Sequence, residues 1–126
     1  MKLLLDSAFI IDHMRGLPEA VDRYRSLFED GDDPLVNEIV LCEVRSGTRA
    51  RDLPQFHAFF EPVEFIQPGP EAARLAGAWR DSARQNGYHL SLADALVAAA
   101  ADAVGAAVLT RNVKDFALTP VKVETY

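Results

Sequence analysis

The stretch Lys2-Leu3-Leu4-Leu5-Asp6 is a short apolar run that ends in an acidic residue. Its three consecutive leucines show neither helical nor alternating periodicity, which is typical of a strand buried on both faces of a parallel sheet. A similar run, Ala106-Ala107-Val108-Leu109, follows Gly105 and predicts a second buried strand. Shorter candidate strands lie at Leu35–Val36, Val63–Ile66 and Val121–Val123.

Helical patterns separate these predicted strands. The segment Ser91-Leu92-Ala93-Asp94 has the form of a capping box and opens an alanine-rich helix that extends to Ala103. Glu71–Gln85 carries a single apolar stripe, as expected of a helix that packs on a core. Further helices are predicted at Ser7–His13, Pro18–Phe28, Asn37–Gly47 and Leu53–Phe60. The alternation of strands and helices predicts an α/β fold with a mainly parallel sheet.

The composition is that of an ordinary globular domain. The chain has 126 residues, 49% of them hydrophobic, which is enough for one domain and hardly enough for two. The formal net charge of −6 argues against loose, charge-driven coating of nucleic acid or of an anionic membrane. It stays compatible with a nucleic-acid substrate held by a local basic patch and a metal. The single cysteine excludes an internal disulfide, and no signal-like or membrane-spanning segment is present, so we expect a cytoplasmic protein.

Four acidic residues fall where loops meet the predicted elements. Asp6 ends the first strand, and Glu43 interrupts an apolar helix face. Asp94 opens the alanine-rich helix, and Asp115 follows the strand that ends at Leu109. The carboxyl ends of parallel strands form a ligand crevice, which Asp6 and the segment after Leu109 would both reach. Clustered carboxylates repel one another unless a cation neutralises them, and oxygen-only ligands favour Mg²⁺ or Mn²⁺, ions suited to phosphate chemistry.

Each acid also has a purely structural interpretation. Asp6 and Asp94 stand where a side chain caps a helix, and Asp115 fits a surface turn. The apolar neighbours of Glu43 indicate partial burial, where a following arginine would pair with it. Only the four acids taken together favour a metal site.

Four segments, in chain order, resemble motifs of the PIN-domain ribonucleases. They are Leu3–Asp12 (LLLDSAFIID), Asn37–Gly47 (NEIVLCEVRSG), Ser91–Ala101 (SLADALVAAAA) and Leu109–Phe116 (LTRNVKDF). The size is most similar to that of the VapC-type toxins of bacterial toxin–antitoxin pairs. The resemblance implies a single PIN domain over residues 1–126, with a three-layer α/β/α architecture. It also implies a Mg²⁺- or Mn²⁺-dependent endoribonuclease that hydrolyses RNA phosphodiester bonds.

By this resemblance, Asp6, Glu43 and Asp94 are catalytic residues that hold the metal. Many relatives have a fourth acid at the position of Asn112, which is an amide here. We therefore expect Asp115, three residues further on, to supply the missing charge as a fourth catalytic residue. Three further residues are expected, more weakly, to contact the substrate or to support the metal ligands: Ser7, Arg111 and Asn112. Ser7 fits a helix cap equally well.

The resemblance implies an RNA substrate, a cognate VapB-type antitoxin and a homodimer, and no membrane partner. Two stretches, Val44–Phe60 and Ala72–Leu90, each carry three arginines against one aspartate. Their arginines would contact RNA phosphates or simply form solvated helix faces. The rival interpretation is a PIN-fold interaction module with weak or no activity, and Asn112 alone among the expected acidic positions favours it. A dehalogenase-like phosphatase is excluded because its D-x-D motif needs an acid at Ala8.

Overall fold

Five short strands form one sheet in which every neighbouring pair is parallel. The computed structural model describes all residues, 1–126. In chain order the strands are β1 (Lys2–Leu5), β2 (Asp33–Val36), β3 (Glu64–Phe65), β4 (Ala107–Leu109) and β5 (Val123–Glu124). Their spatial order is β3-β2-β1-β4-β5. Helices cover both faces of the sheet, so the predicted three-layer α/β/α architecture is confirmed.

Seven helices connect the strands. They are α1 (Ser7–Met14), α2 (Pro18–Glu29), α3 (Glu38–Ser46), α4 (Leu53–Phe60), α5 (Pro70–Gln85), α6 (Leu92–Val104) and α7 (Val113–Phe116). Side-chain caps fix two of their starts: Asn37 Oδ1 accepts from the Val40 N–H (3.1 Å), and Ser91 Oγ accepts from the Asp94 N–H (3.1 Å). Helix α6 ends at Gly105, whose φ of 70° lies in the left-handed region that glycine tolerates best. No helix is both long and apolar enough to cross a bilayer.

The edges of the sheet differ from the sequence-based expectation. Strand β3 covers only Glu64–Phe65 of the predicted Val63–Ile66, and β5 begins at the last residue of the predicted Val121–Val123. Both are edge strands with a single neighbour, so pairing supports fewer of their residues. The four-residue helix α7 was not predicted.

Strand β1 lies at the centre of the sheet. Leu3, Leu4 and Leu5 have no exposed surface, because helices cover both faces and β2 and β4 flank the strand. Full burial of a leucine side chain contributes about 1.5–3 kcal/mol, so β1 is firmly anchored. The residue that follows Leu5, Asp6, is therefore held at a fixed position at the end of β1.

The direction of chain progress across the sheet reverses between β1 and β4. From β1 the chain adds β2 and β3 on one side, and then crosses to the other side to add β4 and β5. In such sheets the helices that follow the two central strands diverge, and a crevice opens beyond the carboxyl ends of these strands. The first residues after β1 and β4, Asp6 and Thr110, border this crevice.

Candidate active site

Asp6 follows β1 directly and is only 5% exposed. Its backbone N–H donates to the carbonyl oxygen of Leu109 (3.0 Å), the last residue of β4. Its side chain does not reach the N–H groups that a capping residue of α1 would bind. Oδ2 accepts a hydrogen bond from Thr110 Oγ1 (2.7 Å), and the Ser7 backbone N–H also interacts with the carboxylate. The carboxylate is thus fixed between the ends of the two central strands, and the helix-cap interpretation does not account for its position.

Thr110 is a site residue that the sequence analysis did not identify. Its side chain is fully buried, and its hydroxyl also accepts a hydrogen bond from the Asn112 N–H (3.0 Å). One hydroxyl group therefore positions both the Asp6 carboxylate and the start of the loop after β4. The available signal was a threonine placed directly after an apolar strand, but its use depends on the register that sets Leu5 beside Leu109.

The four predicted acids influence one another electrostatically. Burial raises the pKa of Asp6 to about 6, and repulsion from Asp94 and Glu43 adds to this rise, which the Thr110 hydrogen bond opposes. Burial likewise raises the pKa of Glu43, with a further contribution from Asp94. The pKa of Asp94 is raised by burial and by the charge of Asp115. The fold therefore brings Asp6, Glu43 and Asp94 within electrostatic range of one another, and it places Asp115 within range of Asp94.

The four acids differ in their exposure to solvent. Asp94 is half-buried in the first turn of α6, whereas Glu43 and Asp115 are exposed. Glu43 is thus more exposed than its apolar neighbours suggested, because the buried stripe of α3 runs through Val40 and Val44 and leaves Glu43 at its flank. The pKa of Glu43 still rises because the carboxyl group itself is partly shielded from water.

A second buried acid, Asp12, joins helix α1 to two residues from the end of the chain, Arg111 and Tyr126. Asp12 is 4% exposed, and its two carboxylate oxygens lie 2.6 and 2.7 Å from Nη1 of Arg111. The Tyr126 hydroxyl donates to Asp12 Oδ2 (2.6 Å), while burial and the Asp12 charge raise the pKa of Tyr126. Arg111, which was expected to contact the substrate, therefore forms an ion pair with Asp12 instead. Sequence analysis missed Asp12, although an acid inside the apolar α1 was a signal.

A family model for the PIN domain matches residues 3–121 of the chain. The chain belongs to the PIN domain family. The resemblance drawn from the four sequence segments is therefore confirmed, and each of these segments carries one of the four acids.

Relatives of VapC type are similar to this PIN domain over almost its full length. Ribonuclease VapC19 of Mycobacterium tuberculosis is 32% identical over 117 residues, which cover 93% of this chain and 94% of the relative. The solved structure of VapBC2 from Rickettsia felis, bound to a DNA fragment from its promoter, aligns with a TM-score of 0.86 at 21% identity over 100% of this chain and 99% of the other. A toxin–antitoxin complex from Klebsiella pneumoniae gives a TM-score of 0.75 at 27% identity over 98% and 96%.

No cation of the protein compensates the acid cluster of this PIN domain. The five ion pairs of the structure involve other acids, and none includes Asp6, Glu43, Asp94 or Asp115. Several carboxylates with raised pKa values and no cationic partner form an oxygen-only donor set that fits a hard divalent ion. No three of these side chains are close enough to form a ready-made metal-binding group, so binding an ion would require side-chain adjustment.

The remaining predicted site residues are Ser7, Asn112 and Asp115. Ser7 is the first residue of α1, next to Asp6, and its hydroxyl counteracts the rise in the pKa of Glu43. Asn112 is exposed and precedes α7, whereas Asp115 lies on α7 and acts on Asp94. Asp115 therefore places a negative charge near Asp94, and the Asn112 backbone N–H donates to the Thr110 hydroxyl.

Replacing Thr110 with valine tests how far its hydroxyl controls the site. Thr110→Val keeps the shape but removes the hydrogen bond to buried Asp6, so we expect a loss of about 1–3 kcal/mol in the free energy of unfolding. The pKa of Asp6 should rise further, because this hydrogen bond now lowers it. Urea denaturation and NMR titration of Asp6 measure the two effects. Thr110→Ser, which keeps the hydroxyl, is the control; equal losses in both variants would contradict the role of the hydrogen bond.

Proposed function

We propose that this PIN domain is a cytoplasmic Mg²⁺- or Mn²⁺-dependent endoribonuclease, the toxin of a toxin–antitoxin pair. The observation that carries the proposal is the buried, cation-free Asp6 at the point where the strand order reverses, with Glu43 and Asp94 acting on it. The relative named ribonuclease VapC19 supports the reaction type and the substrate class.

Each side chain has a distinct part in the proposed mechanism. Asp6, Glu43 and Asp94 would hold the ion, and Asp115 would add negative charge beside Asp94. A bound divalent ion lowers the pKa of water and offsets charge on phosphoryl oxygens. Thr110 orients the Asp6 carboxylate in the metal-free protein through its hydrogen bond to Oδ2 (2.7 Å). Because the pKa of Asp6 is about 6 in the free protein, Asp6 is mainly ionised and ready to bind a cation above that pH.

The proposed partners follow from the family and from the charge of the chain. A VapB-type antitoxin would inhibit the enzyme, since the compared structures include VapBC and toxin–antitoxin complexes. A basic segment of such an antitoxin would find complementary charge in the acid cluster and in the net charge of −6. We also propose that the chain forms a homodimer.

Cleavage of transfer and ribosomal RNA tests the activity directly. The purified protein should cut RNA with Mg²⁺ or Mn²⁺, and chelator or Asp94→Asn should stop the cutting. Asp102→Asn is the matched control, because Asp102 lies exposed on the same helix and takes no part in the cluster. Cutting that persists in chelator would contradict the mechanism. No cutting under any condition, together with normal antitoxin binding, would favour the inactive interaction module.

Ion binding itself should be visible as thermal stabilisation, independently of RNA. A ligand that binds only the folded state stabilises it by about 2.7 kcal/mol at a hundred times its dissociation constant. We therefore expect Mn²⁺ or Mg²⁺ to raise the melting temperature of the wild type and of Asp102→Asn, and to have little effect on Asp94→Asn. Differential scanning fluorimetry over an ion titration measures this shift. An equal shift in Asp94→Asn would place the ion elsewhere.

A further inference from the structure

A pocket outside the acid cluster lies where α5 ends and the connection to α6 begins. Its volume is about 210 Å³, and it is lined by Arg80, Arg84, Tyr88, His89 and Leu90. We call it the Tyr88 pocket. Its lining contains no acidic side chain, which is notable in a protein with a net charge of −6.

The arginines of the Tyr88 pocket have no acidic partner within the protein. Neither arginine takes part in any of the ion pairs of the structure. Arg80 Nε donates to the carbonyl oxygen of Leu90 (3.0 Å), which fixes its guanidinium group beside the loop and leaves the terminal nitrogens available. Arg84 and His89 are exposed, and Tyr88 is 62% exposed. An uncovered tyrosine ring therefore stands beside at least one unpaired guanidinium group.

The position of the Tyr88 pocket relates it to the acid cluster. Leu90 is 3% exposed and belongs to the small core that also contains Ala95 and joins α5 to α6. Ser91 then caps α6, and Asp94 follows in its first turn. The buried Leu90 thus joins the pocket to the start of α6, four residues along the chain before Asp94.

Charge and an open aromatic ring together indicate a nucleic-acid strand as the ligand. Proteins bind single strands by stacking bases on exposed aromatic rings and by placing cations along the phosphates. Arginine suits the second task because its planar group donates two parallel hydrogen bonds to a phosphate. An acidic peptide would need the cations alone and would leave the exposed ring of Tyr88 without a role.

We propose that the Tyr88 pocket binds an unpaired nucleotide of the RNA substrate, next to the phosphate that is cut. The base stacks on Tyr88, and Arg84 and Arg80 contact the adjoining phosphate. The proposal rests on the ribonuclease function proposed above and adds to it a residue that positions the substrate and favours unpaired RNA. His89 lines the same pocket and offers a further donor to the phosphate.

Binding in the absence of cleavage tests the proposal separately from the nuclease activity. The probe is a short fluorescein-labelled single-stranded RNA, titrated in chelator with the full-length protein. Tyr88→Ala should weaken binding roughly 5- to 150-fold, the range expected for one lost base stack, whereas Tyr88→Phe should bind like the wild type. Arg84→Ala should weaken binding and reduce the salt dependence by about 0.7 in the slope of log K against log salt, as expected for one lost phosphate contact.

Arg74→Ala is the matched control, since Arg74 is a highly exposed arginine on the same helix that lies outside the pocket. With metal present, Tyr88→Ala should raise KM for single-stranded RNA and leave the Mn²⁺-induced rise in melting temperature unchanged. Unaltered RNA binding by Tyr88→Ala and Arg84→Ala, with wild-type cleavage intact, overturns the pocket and leaves the nuclease standing. Normal RNA binding with loss of antitoxin binding assigns the pocket to the antitoxin and also overturns the proposal. Absence of cleavage by the wild type, with RNA binding that still depends on Tyr88, contradicts the nuclease and not the pocket.

Discussion

Asp6→Asn is expected to abolish RNA cleavage and, at the same time, to stabilise the metal-free protein at neutral pH. Cleavage should fall roughly 100-fold or more, because the site loses the central charge that would hold the ion. Asparagine still accepts the Thr110 hydrogen bond through its amide oxygen, so the fold keeps its local geometry. The gain in stability comes from removing a carboxylate that burial and repulsion disfavour in the folded state.

The sign of the pH dependence follows from the two pKa values of Asp6. The value is about 6 in the folded protein and 3.8 in an unperturbed chain, so between these pH values the folded state holds a proton that the unfolded state releases. The stability of the wild type therefore falls as pH rises from about 4 to about 6, and the full loss, about 3 kcal/mol, is present at higher pH. Solvent screens the charge of Asp6 only weakly, since the residue is only 5% exposed, so little of this loss in stability is offset.

Urea denaturation in chelator at about pH 4 and about pH 8 measures the difference. Asp6→Asn should lose much less stability than the wild type between these two conditions, whereas Asp102→Asn should follow the wild type. Identical pH dependence of Asp6→Asn and the wild type would show that the buried carboxylate carries no such penalty. Retained cleavage in Asp6→Asn would remove the chemical basis of the proposed function.

Arg111→Ala is expected to destabilise the protein by about 2–4 kcal/mol, more than any other single loss of a surface cation. Asp12 is 4% exposed, and the substitution would leave its carboxylate with the Tyr126 hydroxyl as its one side-chain partner. Removing one partner of a buried charge costs more than the pair itself contributes, because the remaining charge is uncompensated. Tyr126→Phe, which removes a neutral donor, should cost less, about 1.5–3 kcal/mol at most.

A double-mutant cycle separates this structural role from a role in substrate binding. Asp12→Asn added to Arg111→Ala removes the orphaned charge and should recover part of the stability, with a coupling energy of about 1–3 kcal/mol. Lys114→Ala is the control, since Lys114 is an exposed cation on α7 without an ion pair. If the losses from Asp12→Asn and Arg111→Ala simply add, the two residues do not act as a pair. The KM of the double variant then reports whether the guanidinium group also contacts RNA.

The centre of the fold was predictable because its sequence signals are local. Three adjacent leucines indicate a strand that is buried on both faces, as β1 is. The side chains of Asn37 and Ser91 cap their helices by accepting from a backbone N–H only three residues further along the chain. The edge strands were not predictable to the same degree. Their length depends on a single neighbouring strand, and nothing within Glu64–Phe65 or Val123–Glu124 specifies where that neighbour ends.

The acids of the candidate site were also predictable from local signals. The residues that hydrogen-bond the buried acids, Thr110 and Arg111, were not. Asp6 and Asp94 stand at the end of a strand and the start of a helix, positions that the local pattern reveals. The hydroxyl of Thr110 reaches Asp6 across 104 residues of chain, and Arg111 reaches Asp12 across 99. These contacts depend on the register between β1 and β4, which no local pattern encodes. The roles of the acids in binding an ion and cutting RNA stay predictions.

The pairing of β1 with β4 has a consequence for the order of events during synthesis. Strand β1 pairs with β4, which is translated about a hundred residues later. Pairing between such distant segments is slow to form. Until Thr110 has left the exit tunnel of the ribosome, the nascent polypeptide lacks the wall against which Asp6 is oriented. The candidate active site is therefore completed late in folding, after most of the chain has been made.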